Sequence, residues 1–164
     1  MARSVFYSFH YQNDISRVMT VRHRWVTYGT QMVSGIIDHA EFEKVQRQGK
    51  ATIERWIDQQ LTGTTATIVL IGAETLNRPY VQYEIRKSRE RGNAVIGVFI
   101  HRIKDLAGRE SSACSVHTPI GLNDFRGYAF FDQIATGIYD YVLDDGYSNL
   151  DKWVDSAIRK QRGL

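Results

Sequence analysis

"ATIVLIGAETLNRPYVQYE", residues 66–84, decides the fold of this chain. Its first six residues, Ala66–Ile71, form an almost unbroken apolar run. A second such run, "AVIGVFI", follows at 94–100. Apolar residues that continue rather than alternate suit strands covered on both faces, which is the habit of parallel sheets. Between the two runs, Val81, Ile85 and Ser88 recur at spacings of four and three, and Gly92 ends the pattern, so the connection is helical. Working outward, Val5–Phe9 and Gly35–Ile37 read as two further short strands. Val18, Val21 and Trp25 mark a helix after the first of these. Ile53, Trp56, Ile57 and Leu61 mark a helix after the second, with Gly63 as its stop.

The order is β-α-β-α-β-α-β, which implies right-handed crossovers and a parallel sheet. The expectation is a flavodoxin-like three-layer α/β/α sandwich with a central parallel sheet, one domain over residues 1–164. Residues 101 to 136 read as loop with a short helix. "GIYDYV" at 137–142 reads as a last strand. In "DDGYSNLDKWVDSAIRKQ", Asp145-Gly146 turns the chain and Ser148 or Asn149 is placed to cap. Leu150, Trp153, Val154 and Ile158 then form the stripe of a closing helix.

Composition narrows the functional classes. A 164-residue chain with 43% hydrophobic and 12% aromatic residues is globular, without repeats or low-complexity tracts. The formal charge of +3 is a mild excess. Its densest basic run, "RKSRERG" at 86–92, reads as a solvated helix face, so no nucleic-acid partner is expected. A single cysteine, Cys114, excludes an internal disulfide and lies in no metal-ligand spacing. No metal is expected, and a reduced, cytoplasmic setting fits. The start "MARSVFYS" has no apolar stretch of signal length. No segment approaches the roughly 20 apolar residues of a membrane span.

Ligands of open α/β sheets bind beyond the carboxyl ends of the strands, where strand order reverses. "VFYSFHYQND" at 5–14 ends a strand in such a place with Ser8, His10, Tyr11 and Asp14. Phe9 and Tyr11 serve either as core or lid residues or as a stacking surface for a base, and Phe6 is expected with them to stack on a base and shut out water. His10 is either a loop histidine or a ligand contact, and Asp14 reads as the cap of the first helix. After the third strand, Gly72 and Ala73 are small enough for a ligand to approach closely, and Thr75 and Asn77 can cap. Asp38-His39 follow the second strand at the right end of the sheet. Glu84 lies roughly 60° around the helix from Val81, on the shoulder of the buried face. Tyr80 sits one turn earlier on the same side. A carboxylate at a half-buried edge is unfavourable unless paired. Either Arg86, Arg89 or Arg91 pairs with it, or it serves chemistry, gripping a ribose hydroxyl or stabilising positive charge. There is no GxGxxG, Walker loop or HExxH.

"SVFYSFHYQND", "TIVLIGAETLNRPYVQYEI", "GNAVIGVFI" and "YDYVLDDGYSNLDKWV" together resemble the TIR-like domains of bacterial Thoeris anti-phage defence, over roughly residues 4–100 and 137–154. The resemblance implies an enzyme that consumes NAD as substrate and needs no cofactor. It also implies a glutamate on the helix after the third strand as the catalytic group, in a Trp-Cys-x-x-Glu pattern. The matching stretch here is Tyr80-Val81-Gln82-Tyr83-Glu84, which keeps the glutamate and lacks the Trp-Cys pair. By the same resemblance the partner is a separate effector that responds to a cyclic ADP-ribose isomer, and homo-oligomers are possible. "DHAEFEKVQRQGK" does not resemble the interaction loop of animal and plant TIR domains, so assembly surfaces are not carried over. A catalytically silent TIR-like interaction module and a nucleoside deoxyribosyltransferase-like enzyme remain as rival expectations. A receiver-type phosphoacceptor has too few strand-end aspartates.

Overall fold

A computed structural model describes residues 3–28, 31–34, 44, 47–122 and 128–163. Its strands are β1 (Arg3–Ser8), β2 (Gln31–Ser34), β3 (Ala66–Ile71), β4 (Ala94–Phe99), β5 (Pro119–Leu122), β6 (Tyr128–Phe130) and β7 (Gly137–Asp140). Its helices are α1 (Tyr11–Tyr28), α2 (Lys50–Leu61), α3 (Pro79–Glu90), α4 (Phe131–Ile134) and α5 (Gly146–Gln161). Five strands form one parallel sheet in the order β2-β1-β3-β4-β7. This is the flavodoxin-like order, and strand order reverses between β1 and β3.

The continuous apolar runs are explained by the layers. Every residue of β3 is buried. Ala66, Ile68 and Leu70 face a core made with Val18 and Val21 of α1 and with Leu150, Val154 and Ile158 of α5. Val69 and Ile71 face the other side, where Val81 and Ile85 of α3 pack with Phe131. Ile53, Ile57 and Leu61 of α2 close that side over Phe6. Period-2 alternation sends successive side chains to opposite faces, so both faces need apolar residues.

Three expectations shift. The strand expected at Gly35–Ile37 falls outside the described residues, and the strand paired with β1 is Gln31–Ser34, beginning four residues earlier. The stretch expected to be loop holds an antiparallel pair, β5 and β6, as well as the short helix α4. Phe131 of α4 is fully buried over Gly97, whose position leaves no room for a Cβ, only 2.7 Å from the ring. Neither Ser148 nor Asn149 caps α5. The N-cap is Asp145, with left-handed backbone at φ 53°. Gly146 opens the helix because the Tyr141 ring occupies the space of a side chain there. Asn149 instead bonds the carbonyls of Asp144 and Asp145 through its amide.

Candidate active site

The alternation in β1 turns Val5 and Tyr7 towards α1 and α5 and leaves Phe6 and Ser8 on the side of α2 and α3. Ser8 is the last residue of β1 and is fully buried. Its hydroxyl donates a hydrogen bond of 2.5 Å to Oε2 of Glu84, across 76 residues of sequence. Glu84 is held in place from below. α3 starts with Pro79, whose fixed φ suits a first helical position, and is seated on the sheet by buried Val81 and Ile85. One turn after Glu84, the Ser88 hydroxyl donates to the Glu84 carbonyl at 2.7 Å and meets the Thr67 hydroxyl at 2.6 Å. Asn93 extends this buried polar cluster to Thr64. The turn carrying Glu84 is therefore fastened to β3 by directional bonds as well as by packing.

Burial pushes the Glu84 carboxyl up to about 8, and the Ser8 hydrogen bond works against that rise. The residue is half-buried, which leaves it an approach from solvent. The expected alternative, a salt bridge to a local arginine, is not found among the described residues. Arg86 turns away and donates to the Ile120 carbonyl at 2.6 Å. A poorly solvated carboxyl without a cation is a group whose ionised form gains most from a positively charged substrate.

Asp14 corrects the sequence reading. It lies inside the first turn of α1, not at its cap, and is 1% exposed. The Gly72 N–H donates to the Thr75 hydroxyl at 2.8 Å, and that hydroxyl donates to Asp14 Oδ2 at 3.4 Å. Burial raises the Asp14 carboxyl to about 6, opposed by Arg17. Gly72 is needed for this contact: a Cβ there would sit 2.5 Å from both Asp14 carboxylate oxygens. The small residue makes room for Asp14, not for a ligand as expected. A signal for Asp14 was present in the sequence, since it stands four residues before Val18 on the buried stripe of α1.

The other expected residues divide. Phe6 is 1% exposed and belongs to the core over α2, so it offers no stacking surface. Tyr80 packs on that same cluster, partly exposed. Phe9 and Tyr11 remain partly exposed, with ring centroids 6.0 Å apart. His10 is buried, and its Nδ1 lies 3.9 Å from a Glu74 carboxylate that also accepts from Asn13. Burial, with help from Arg78, holds the His10 imidazole below its ordinary pKa. Ala73 is partly exposed at the end of β3. Asn77 is exposed and caps nothing: its N–H closes a 3-10 turn on Glu74, and the N-cap of α3 is Arg78. Asp38 lies outside the described residues.

Sequence reasoning missed the segment 101–118. It crosses the carboxyl edge of the sheet, where the Cys114 N–H donates to the Gly72 carbonyl and the Ser111 N–H to the His101 carbonyl. Buried Arg17 of α1 pins it by donating to the carbonyls of Ile103 at 2.7 Å and Arg109 at 2.9 Å. A cavity of about 450 Å³ opens beside it, beyond the ends of β4 and β7. A larger one, about 520 Å³, lies between α3 and the β5–β6 pair, away from the strand ends. No cluster suited to a metal ion occurs among the described residues. No helix among them is long and apolar enough to cross a membrane.

A parallel five-stranded sheet with a buried serine ending β1 against a carboxyl on the helix after β3 defines an α/β domain of flavodoxin-like fold with a candidate site at its strand-order reversal. Residues 6–105 match the family described as Thoeris protein ThsB, TIR-like domain, and the chain belongs to that family. It is similar to a protein of Bacillus cereus (strain MSX-D12) named "Putative cyclic ADP-D-ribose synthase ThsB1". The two are 33% identical over 94% of this chain and 100% of that relative.

Proposed function

We propose that this chain cleaves the nicotinamide–ribose bond of NAD and closes the remaining ADP-ribose into a cyclic product. The observation that carries the reading is the Ser8–Glu84 pair at the strand-order reversal, in a family whose ThsB1 relative is named for cyclic ADP-ribose synthesis. As the C–N bond breaks, its electron pair leaves with nicotinamide, which departs neutral and needs no general acid. Positive charge develops on the ribose. Glu84, ionised against that charge, orients the ribose hydroxyls and stabilises the transition state in a poorly solvated setting. Ser8 fixes the carboxyl and selects its orientation. A hydroxyl oxygen of the same molecule then attacks the anomeric carbon and loses its proton to solvent, or a base ring nitrogen attacks through its lone pair and the adenine amino group gives up a proton. Proximity favours this internal attack over water, which would give linear ADP-ribose.

The cyclic product acts on a separate effector protein, and phage infection switches the activity on. The test is nicotinamide release from NAD by the purified chain, alone and with lysate from infected cells, beside Glu84→Gln. Release by the wild type and none by a folded Glu84→Gln is the expected result, with the mass of the second product separating cyclisation from hydrolysis. Release unaffected by the substitution would remove Glu84 from the chemistry. No release in either condition would leave the interaction-module reading.

A further inference from the structure

The cavity beyond β4 and β7 has no role in the scheme above. It lies at the carboxyl edge of the sheet, where open α/β folds place ligands. Its walls include Phe99, His101, Arg102, Cys114 and Tyr139. Two of its wall residues, Phe99 and Cys114, also flank the core formed by Val81 and Ile85 of α3, on the side of the sheet that carries Glu84. Cys114 also links it to the reversal point through its hydrogen bond to Gly72. Strands are spaced about 4.8 Å apart, so β4 stands roughly 10 Å from β1 across β3. The wall also holds two carboxylates, Asp140 and Asp144, but Asp140 accepts from Arg102 and from the Val142 and Leu143 N–H groups, and Asp144 from the Asp140 N–H. The rest is apolar and aromatic with a few placed polar groups, which suits a nucleotide. Arg102 is tied to Asp140 through Nε at 3.0 Å, yet its side chain is 42% exposed, so part of the guanidinium is open to an anion. His101 sets its ring edge-on to Phe99, with centroids 5.6 Å apart, and its buried Nδ1 has no hydrogen-bond partner.

We propose that this cavity receives the adenosine-phosphate half of NAD, with Arg102 contacting phosphate and the Phe99–His101 corner facing the nucleoside. The inference rests on the NAD-cleaving reading and assigns that site its second half. Burial, together with Arg102, holds the His101 imidazole below its ordinary pKa. A neutral ring offers one donor and one acceptor, which suits base or sugar atoms. Guanidinium and phosphate form charge-assisted bonds, so their loss is read as affinity for the phosphate-bearing half.

The probe is adenosine monophosphate, titrated calorimetrically into the wild type, Glu84→Gln, Arg102→Ala and Ala113→Trp. Ala113 is an exposed wall residue outside the Arg102–Asp140 pair, so its indole fills the cavity without breaking that pair. Binding is expected in the wild type and Glu84→Gln alike, weakened about ten-fold or more by Arg102→Ala and abolished by Ala113→Trp. With NAD as substrate, both cavity variants should raise KM while kcat holds. The inference is overturned if the monophosphate does not bind the wild type, or binds folded Arg102→Ala and Ala113→Trp as well as the wild type. Failure of the NAD-cleaving reading shows separately, as absence of nicotinamide release from the wild type.

Discussion

Glu84 is held by two opposed effects, burial that favours its neutral form and a Ser8 hydroxyl that favours its charged form. Burial wins, and the sign of the pH dependence follows. With a folded pKa of about 8 and an unfolded one near 4.3, the unfolded chain binds fewer protons throughout that window. Stability from this group is therefore intact below the unfolded value and is lost as pH rises towards 8. Glu84→Gln carries no such loss. It should be more stable than the wild type at pH 8.5, on the order of 1–3 kcal/mol for a half-buried group, and equal to it near pH 4. Thermal melts at both pH values check this; a constant difference would show that Glu84 titrates as an ordinary carboxylate. In the proposed chemistry the direction reverses, because there the ionised form is the useful one. kcat/KM for NAD should rise with pH through a limb near 8. The limb in kcat should lie lower, since the cationic ring of bound NAD favours the carboxylate. Gly72 gives a second residue-scale outcome. Gly72→Ala places a methyl 2.5 Å from the Asp14 carboxylate oxygens and should cost about 1–3 kcal/mol by overpacking. A double-mutant cycle with Asp14→Ala should recover part of that loss.

At the scale of elements, the segment 101–118 is ordered by its partners and not by a secondary structure of its own. Arg17 supplies two of its bonds. Arg17→Met keeps an apolar stem and removes both, leaving the Ile103 carbonyl without its side-chain donor and the Arg109 carbonyl with the Asp105 N–H alone. The expected outcome is a loss of about 1.5–3 kcal/mol and faster proteolysis at Lys104 or Arg109, read by limited trypsin digestion. An unchanged digestion pattern would mean that Cys114 and Ser111 hold the segment alone. This segment also shows why the strand ends were only half legible. Val81, Ile85 and Ser88 declare α3 because their spacing repeats, and the structure buries all three. "KDLAGRESSACSVHTP" repeats nothing, since its order comes from carbonyls and amides that any residue could present.

Across the whole molecule, substrate and fold are coupled by mass action. A ligand that binds only the folded chain stabilises it by about 2.7 kcal/mol at a hundred times its Kd, and about 2–4 °C accompanies each kcal/mol for a chain of this size. NAD should therefore raise the melting temperature of Glu84→Gln, which binds without consuming it, by several degrees. The rise should be smaller when Arg102→Ala is added. No rise at millimolar NAD would count against both halves of the site.

The sequence by itself determined the layers, the parallel sheet and the helix that carries Glu84, because these depend on the period of apolar residues along the chain. It also placed Ser8 and Glu84 at the correct edge of the sheet, since the strand order puts them there. Only the tertiary structure decided that Ser8 bonds Glu84, that Asp14 is buried against Gly72 and that Phe6 is core. It alone decided that Arg17 and Cys114 bring residues 101–118 over the strand ends. Each of these joins residues dozens of positions apart through a single contact, and a single contact has no period to read. Glu84 stood as a choice between salt bridge and chemistry because geometry along one helix is the same in both cases. The salt-bridge half of that choice turns on where the arginines go, and Arg86 goes to the Ile120 carbonyl of a strand pair that the sequence did not announce.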